Sequence, residues 1–428
     1  MFNHCTSLSA TPNLPASSLA NNCYQEMFSW CTSLINTPIL SANILSDYCC
    51  YAMFLNCTSL ISASLPATIL ANHCYQFMFS GCTSLSSIFE LPATTLFECC
   101  YANMFSNCIS LIKVPELPAS ALVKNCYLNM FTVCNHLTEI NINFIDWNKS
   151  NNSTTTWVNG IITTSGTFIK PAILSEEYGI NNIPTNWSII NKLEYIKSTG
   201  TQYIDTGVIP DYANGDKVEI SFYLAHPENS LVPVFGSRAA YNNAAALNGF
   251  YLLIDARNLD SFYCYKYVEA NENEYNVGTM NNSLRYWNDK IKVTVGNNMV
   301  QDSTDNYTIS ANMLKQITSQ YSVYLFALNQ NGSLESSSLT SIYTGMRLYY
   351  WKYWHNGILT QHLIPALDNN LTPCLYDLIS KNYYYNNGTD DFEYSLNMPN
   401  QQLQYLESTG TQYINTGVTP DFANGDSI

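Results

Sequence analysis

The sequence predicts a mainly β protein with short helices, built as a repeat solenoid followed by an antiparallel β-sandwich. Three observations predict this arrangement. A motif recurs at intervals of 25 or 26 residues before residue 135, the later chain contains many alternating polar and apolar segments, and the opening of that later region returns near residue 403. Repeats of this length form solenoids, and evenly spaced short strands form sandwiches.

Length and composition limit the number of domains and the kinds of binding partner that are expected for this chain. A chain of 428 residues is too long for one ordinary core, so two or three domains are expected. The net charge is −15 and no basic patch is interleaved with aromatic residues, which argues against binding to nucleic acids or to anionic membranes. We expect no transmembrane helix, because apolar stretches of 18 residues are absent. The opening Met1-Phe2-Asn3-His4-Cys5 does not resemble a secretory signal.

Three markers recur in phase through residues 1–140. Met-Phe followed by a cysteine begins at Met1, Met27, Met53, Met78, Met104 and Met130. Cys-Tyr begins at Cys23, Cys50, Cys74, Cys100 and Cys126. Leu-Pro-Ala begins at Leu14, Leu65, Leu91 and Leu117. Because a single unit cannot bury its apolar side alone, we expect the units to stack.

Each unit is expected to contain a short helical turn and an extended segment. Cys23, Met27 and Cys31 follow one another at intervals of four residues, and Leu34 comes three residues later. This spacing is typical of the buried stripe of a helix. Pro38 in the next segment disfavours helix and predicts an extended piece.

The cysteines are interpreted mainly as core residues. Thirteen of the fifteen precede residue 135, at equivalent positions in the units, where small apolar thiols can pack in ladders. Disulfides that join the adjacent pairs Cys49-Cys50 and Cys99-Cys100 to neighbouring coils are an alternative. Metal binding is the weaker alternative, since neither Cys-x-x-Cys pairs nor neighbouring histidines are present.

The unit Cys-Tyr-x-x-Met-Phe-x-x-Cys-Thr-Ser-Leu…Leu-Pro-Ala resembles the BspA-like leucine-rich repeats of bacterial surface proteins and gut phages. The resemblance covers residues 1 to about 140 and implies a right-handed solenoid that serves adhesion or display. The copy Cys50-Tyr51-Ala52-Met53 is one residue short, so we expect a local irregularity in its coil.

Residues 141–191 form a predicted small cap or connector, since the period stops there and Asn, Ser and Thr dominate. Trp157-Val158-Asn159-Gly160 and Ser165-Gly166-Thr167-Phe168 predict two short strands with a turn between them. A cap is needed because the last coil would otherwise expose its apolar face. We interpret Trp157 and Trp187 as packing residues, with a binding role as the alternative.

Residues 192–396 form the predicted β module. Residues 217–224 and 290–295 alternate polar with apolar side chains, which is typical of half-buried strands, and residues 321–328 form a nearly continuous strand-like run. Many such strands favour a sandwich or jelly roll.

Several segments of this module resemble laminin-G-like, concanavalin-A-like lectin modules. These segments are residues 193–207, Phe235-Gly236-Ser237-Arg238, His362-Leu363-Ile364-Pro365-Ala366, Leu375-Tyr376-Asp377 and residues 384–389. The resemblance implies a two-sheet jelly roll that binds carbohydrate or protein. Residues 193–216 match residues 403–426 at 18 of 24 positions, so residues 397–428 are predicted to begin a second module of a longer protein.

The sequence predicts no catalytic residues and no cofactor. The concanavalin-A-like fold also occurs in glucanases, whose two catalytic carboxylates share one face of a strand. The best local cluster is Glu269, Glu272 and Glu274, and in a strand the first two would point to opposite faces. A structural calcium ion is suggested only by the lectin-like resemblance, with Asp205 and Asp216 as candidate ligands and the metal site otherwise unassigned.

A binding surface is predicted in the aromatic segment 347–354. The resemblance suggests that Trp351 and Tyr353 occupy core positions, and alternation then places Tyr350, Lys352 and Trp354 on the outer face. Exposed aromatic rings stack on sugars and are favoured at protein interfaces. The alternative is a strand that is buried on both sides.

Together these patterns predict an extracellular, cell-surface or phage-virion adhesin. A solenoid platform would carry lectin-like modules that recognise host or bacterial surface glycans or proteins. The alternatives are a structural spacer or tail-fibre subunit without ligand binding and, less favoured, a glycan-cleaving enzyme.

Overall fold

The structure is a computed structural model that describes residues 2–89, 91–147, 151–175, 183–211, 215–224, 231–238, 249–255, 266–267, 290–296, 299–302, 306–308, 321–330, 332–334 and 345–396. The prediction of a mainly β protein is confirmed. The expected short helices are absent from these residues, which form strands and turns. Within them no helix is long and apolar enough to cross a membrane. The predicted second module at 397–428 and the cluster Glu269, Glu272 and Glu274 lie outside the described residues.

The strands fall into two groups along the chain. The short strands of the repeat region and its extension are β1 Ser62–Ala63, β2 Ser87–Ile88, β3 Glu139–Asn141 and β4 Thr167–Pro171. The later strands are β5 Ser188–Lys197, β6 Ile204–Asp205, β7 Lys217–Tyr223, β8 Leu231–Arg238, β9 Gly249–Asp255, β10 Lys266–Tyr267, β11 Ile291–Gly296, β12 Met299–Asp302, β13 Asn306–Thr308, β14 Tyr324–Leu325, β15 Asn329–Gln330, β16 Ser333–Leu334, β17 Arg347–His355, β18 Ile358–Leu367, β19 Pro373–Asp377, β20 Tyr383–Tyr384 and β21 Glu393–Leu396.

The repeat units stack through backbone hydrogen bonds between equivalent positions. The N–H groups of Tyr24 and Glu26 donate to the carbonyls of Cys49 and Tyr51 in the next coil, both at 2.8 Å. The alternate N–H groups stay within the coil, as when Met27 donates to the Tyr24 carbonyl at 3.1 Å. A helix would use every N–H internally, whereas here half of them join neighbouring coils. The prediction of helical turns in this segment is therefore wrong.

A residue in the left-handed region at every fourth position produces this geometry. In one coil Asn22, Glu26 and Trp30 have φ of 60°, 53° and 63°, and the same spacing recurs in the following coils. Asparagine and glycine tolerate this region best, and they occupy many of these positions. Four-residue turns bring residues four apart to the same side. Cys49, Met53 and Cys57, equivalent to Cys23, Met27 and Cys31, are accordingly fully buried.

The coil that contains the shortened copy Cys50-Tyr51-Ala52-Met53 keeps the register of its neighbours. The N–H of Cys50 donates to the Cys74 carbonyl at 3.2 Å, as that of Tyr75 donates to the Cys100 carbonyl at 3.1 Å. Cys50 therefore takes the tyrosine position, and Cys49 takes the cysteine position. The expected irregularity in this coil is wrong, because the shortened motif was aligned one residue too late.

The repeat core consists of ladders of identical side chains. Phenylalanine rings of successive coils stack with centroids 5.4 to 5.9 Å apart, in the ladder Phe2, Phe28, Phe54, Phe79, Phe105 and Phe131. The thiol of Cys57 donates to the Phe28 carbonyl at 3.0 Å, and thiols of later coils make the equivalent contact. Every described cysteine is a free thiol, so neither adjacent pair forms a disulfide with a neighbouring coil.

One further coil follows the last recognised repeat. Asn152, Thr156 and Gly160 have φ of 51°, 53° and 78°, which continues the four-residue spacing. Trp157 closes the phenylalanine ladder, with its ring centroid 6.0 Å from that of Phe131. The predicted strand at 157–160 is wrong, since this segment forms turns. Trp157 and Trp187 are both buried in the repeat core.

The ladder of the repeats continues directly into the β module. Lys113 bridges to Glu139, and β3, β4 and β5 then pair in parallel. β5 also pairs antiparallel with β17, β18 and β21 of the module. The predicted boundary between residues 191 and 192 lies inside β5, so one strand belongs to both regions.

Two sheets enclose the core of the module. One contains β5, β7, β11 and β17–β19, and the other contains β6, β8, β9 and β14. Their apolar faces meet where the rings of Phe235 and Trp351 lie 5.0 Å apart. Within the predicted run 321–328 only Tyr324–Leu325 is a strand, because Phe326 turns the chain with a φ of 66°.

Candidate functional site

The candidate site lies on the outer face of the larger sheet of the module, at its central strand β17. This strand pairs with β7 on one side and with β18 on the other. Its pairing with β7 shifts between Leu348 and Tyr350, which is a β-bulge. Because of the bulge, Leu348 and Trp351 both face the core although they are three residues apart. Regular alternation continues from Trp351 onwards.

The structure places Tyr350, Lys352 and Trp354 together on the outer face. All three side chains are partly exposed, whereas Trp351 and Tyr353 are buried in the core. Tyr350 also packs at the edge of a small apolar cluster on the outer face that includes Ile364, Ala366, Cys374 and Tyr376. The outer face is thus apolar towards β19 and polar towards β7.

Glu219 on β7 is the centre of the polar part. It lies directly opposite Lys352, and its carboxylate accepts hydrogen bonds from Lys352 at 3.3 Å and from the Tyr350 hydroxyl at 3.0 Å. Lys292 on β11 adds a second ion pair at 3.2 Å. Burial raises the pKa of Glu219, but Lys352, Lys292 and the Tyr350 hydrogen bond outweigh it and hold that pKa below its ordinary value. A fixed carboxylate therefore holds two lysines and a tyrosine in place.

The indole ring of Trp354 packs against the ammonium group of a lysine. Lys217 lies directly opposite it on β7, and its ammonium group is 3.8 Å from the centroid of the indole ring. Such a contact is favourable because the ring face carries negative charge. It also fixes the orientation of the indole, with one of its faces towards the lysine.

His362 on β18 completes the surface on the side away from β7. It lies opposite Lys352, and its ring meets that of Tyr350 edge to face at 6.3 Å. Burial, reinforced by the Lys352 charge, lowers the pKa of His362 to about 4. The histidine is therefore neutral near pH 7 and offers one donor and one acceptor.

The sequence did not reveal which residues contact Tyr350, Lys352 and Trp354, although it did predict the strand faces on which most of these contacts lie. Lys217, Glu219 and Lys292 are the polar positions of two segments that alternation identified as half-buried strands. What the sequence lacked was the pairing order β11-β7-β17-β18, which brings the polar positions beside Tyr350, Lys352 and Trp354. No sequence pattern indicated that His362 would lie beside these residues.

The carboxylates of Asp216 and Asp205, the candidate calcium ligands, accept hydrogen bonds from other groups of the protein. Asp216 is 1% exposed, and its carboxylate accepts hydrogen bonds from the Tyr353 hydroxyl, from His355 Nδ1 at 2.8 Å and from the Asp211 N–H at 2.6 Å. Asp205 caps a turn by accepting from the Gly207 N–H at 2.9 Å. Over the described part of the chain, no three His, Cys, Asp or Glu side chains form a group that could hold a metal ion.

Chemically, the outer face combines two aromatic rings, fixed charges of both signs and a neutral histidine. Such a surface can stack against a ring and exchange hydrogen bonds with hydroxyl or amide groups. No family model matches the chain, and a comparison with curated proteins also finds no match.

Proposed function

We propose that this chain is a surface or virion adhesin without enzymatic activity, in which a repeat solenoid carries a lectin-like jelly-roll module. The outer face around Tyr350, Lys352 and Trp354 would contact a glycan or a surface protein. We place the protein outside the cell or on a phage particle, as the resemblance of its repeats and module to those of adhesins suggests. The observation that carries the proposal is the ordered row of partly exposed aromatic and charged side chains on β17.

The composition of this row supports a ligand with both apolar and polar parts. Tyr350 and Trp354 are held by hydrogen bonding to Glu219 and by the cation–π contact with Lys217, so little rotamer entropy remains to be lost on binding. A pre-ordered aromatic surface binds more tightly than one that must be ordered by its ligand.

The binding test uses the full chain on an array of glycans and purified surface glycoproteins. A separate fragment from residue 191 would cut β5, which spans Ser188–Lys197 and pairs with the repeat region. We expect saturable binding that soluble sugar competes away. The variants Trp354→Ala and Tyr350→Ala should weaken it about tenfold or more, since stacked aromatic contacts are among the strongest in such sites.

Tyr394→Ala provides the matched control. Tyr394 lies on β21 of the same module, is 44% exposed and is absent from the β17 row. Its replacement should leave binding unchanged. Equal loss in Tyr394→Ala and Trp354→Ala would contradict a specific role of the row.

The competing proposal is a structural spacer. It is favoured by the strand β5, which pairs both with β4 of the repeat extension and with β18 of the module. Under this proposal the full chain would bind no glycan or glycoprotein on the array and would associate only with further subunits of its own assembly. Release of reducing ends from an array hit would instead support a glycan-cleaving enzyme.

A further inference from the structure

A group of aromatic rings lies on the turns of two neighbouring repeat coils. The ring of Tyr48 stacks on that of His73 in the next coil, with centroids 4.4 Å apart and planes inclined by 6°. Tyr51 lies 5.9 Å from Tyr48 and meets Phe77 edge to face at 5.8 Å. All four side chains are at least partly exposed, and Tyr48 is 36% exposed. We call Tyr48, Tyr51, His73 and Phe77 the turn patch.

Two of these residues occupy backbone positions that do not favour them. Tyr48 and Phe77 have φ of 57° and 58°, in the left-handed region, which is costly for bulky side chains and which asparagine tolerates better. Asparagine does occupy the equivalent positions of other coils, as Asn22 for Tyr48 and as Asn103 and Asn129 for Phe77. The repeat fold therefore does not require aromatic residues at these positions. Departures of this kind from local preference are concentrated at binding sites.

The carboxylate of Glu26 lies beside the turn patch. The N–H of Glu26 donates to the Tyr51 carbonyl at 2.8 Å, which places Glu26 one coil before the patch. Burial and the charge of Glu26 both raise the pKa of Tyr51, so the carboxylate and the phenol are close. The Glu26 side chain is partly exposed and forms no ion pair with any residue that the structure describes. Its negative charge is therefore available to a partner.

This part of the chain contains little positive charge. Residues 1–112 contain no lysine or arginine and four acidic residues, which are Glu26, Asp47, Glu90 and Glu98. Glu98 pairs with Lys124 at 2.6 Å. The Asp47 carboxylate accepts from the N–H of Asn72 at 2.9 Å, which leaves its charge without a cation. The turn patch thus combines aromatic ring faces, which carry negative charge themselves, with uncompensated carboxylates.

A small side chain separates Glu26 from Phe77. Ala52 occupies the equivalent position in the coil between them, where its N–H donates to the Gln76 carbonyl at 2.8 Å. Ala52 is 2% exposed, whereas Glu26, Tyr51 and Phe77 are partly exposed. A carboxylate and two rings therefore surround a position at which the protein presents only a methyl group.

We propose that the turn patch docks a basic peptide segment of a partner protein, with a lysine or arginine side chain over the Tyr51 and Phe77 rings and its charge at Glu26. Ring faces attract ammonium and guanidinium groups, and the alkyl stems of these side chains pack on apolar surface. A peptide fits better than a small cation because Glu26 and Asp47 belong to successive coils, so more than one positive charge can be accommodated. This surface is separate from the β17 row.

The test measures binding of labelled octapeptides to the full chain by fluorescence anisotropy. In these peptides glycine alternates with lysine, with arginine or with glutamate, and tetramethylammonium is added as a small competing cation. We expect saturable binding of at least one basic peptide, which added salt weakens because it screens the exposed charges. The glutamate peptide should not bind.

The variants change the turn patch without changing the repeat fold. Phe77→Asn and Tyr48→Asn introduce the residue that equivalent positions carry, and Glu26→Gln removes only a charge. Each should weaken peptide binding about fivefold or more, while thermal unfolding stays close to that of the wild type. The matched controls are Phe89→Asn, at a position that is 65% exposed outside the patch, and Asp391→Asn, at an exposed position of the module. Both should bind like the wild type.

The outcomes distinguish this surface from general attraction to an acidic protein. Failure of both basic peptides to bind, or wild-type affinity in both Glu26→Gln and Phe77→Asn, would overturn the proposal. Equal weakening in Phe77→Asn and Phe89→Asn would also overturn it, because the effect would not be specific to the patch. Loss of binding in Trp354→Ala alone would instead place the peptide on the β17 row. Binding of tetramethylammonium without binding of either basic peptide would replace the proposed partner by a small cation.

Discussion

The repeat region and the β module build their cores in different ways. In the repeats, each side chain contacts its equivalent one coil away, and the thiol of Cys57 reaches the Phe28 carbonyl across 29 residues. In the module, Gln361 bonds to Thr206 across 155 residues, and Tyr353 bonds to Asp216 across 137. The first core repeats one environment, whereas the second combines unique ones. A period in the sequence can therefore reveal the contacts of the first core and not those of the second.

Removal of one ring from the phenylalanine ladder should have the largest effect. Phe79 is fully buried between Phe54 and Phe105, so Phe79→Ala leaves a cavity with apolar neighbours on both sides. We expect the free energy of unfolding to fall by about 3–5 kcal/mol, measured by urea denaturation. Phe89→Ala, at a position that is 65% exposed in the same region, should change it by less than about 0.5 kcal/mol. Similar losses in both variants would refute the ladder as the source of stability.

The module should instead be sensitive to the loss of a single polar contact. Gln361 accepts from the Trp351 indole at 3.0 Å and donates to the Thr206 carbonyl at 2.9 Å. Gln361→Leu leaves both groups buried without this partner and should destabilise the protein by about 1–3 kcal/mol in the same assay. Gln25→Leu, at an exposed position of the repeats, should be nearly neutral. A neutral Gln361→Leu would mean that apolar packing also suffices in the module.

The decrease in the free energy of unfolding at acid pH should depend on His362 of the module. Burial and Lys352 lower the pKa of His362 to about 4, whereas Asp377, Glu116 and Glu219 oppose the shift. In the unfolded chain the group titrates near 6.5. Its contribution to stability is therefore present above pH 6.5 and is lost as the pH falls through 4. His362→Gln should flatten the pH dependence of the free energy of unfolding between pH 6.5 and 4. An unchanged slope would contradict a histidine that stays neutral in the folded protein above pH 4.

The buried cysteines of the repeats should contribute to the pH dependence of stability above pH 9. Burial raises the pKa of Cys57, Cys74 and Cys134 from 9.0 to about 12. A raised pKa in the folded state gives stability that is present below pH 9 and is lost as the pH rises through 12. Cys134→Ala should therefore reduce this slope slightly. Denaturation at several pH values above 9 compares the variant with the wild type, and an unchanged slope would contradict the prediction.

Much of the repeat region could be predicted from the sequence because one environment recurs. The inward positions Met53, Cys57 and Leu60 followed from the spacing of the motif, although the segment forms four-residue turns and not a helix. Spacings of 3.6 and 4 residues cannot be distinguished over two turns. Asparagine and glycine at the left-handed positions were the signal that could have distinguished them. The extra coil at 151–160 was missed because Trp157 replaces the Met of the motif.

The candidate site was only partly predictable. Alternation placed Tyr350, Lys352 and Trp354 on one face, since strand geometry is local. The partners Glu219 and His362 depend on which strands pair, and strand order is set by the packing of the whole module. The sequence by itself determined the period, the faces of the strands and the buried thiols. The tertiary structure alone decided the strand shared by the two regions and the charge network on Glu219, because these arise from contacts between segments with no common local pattern.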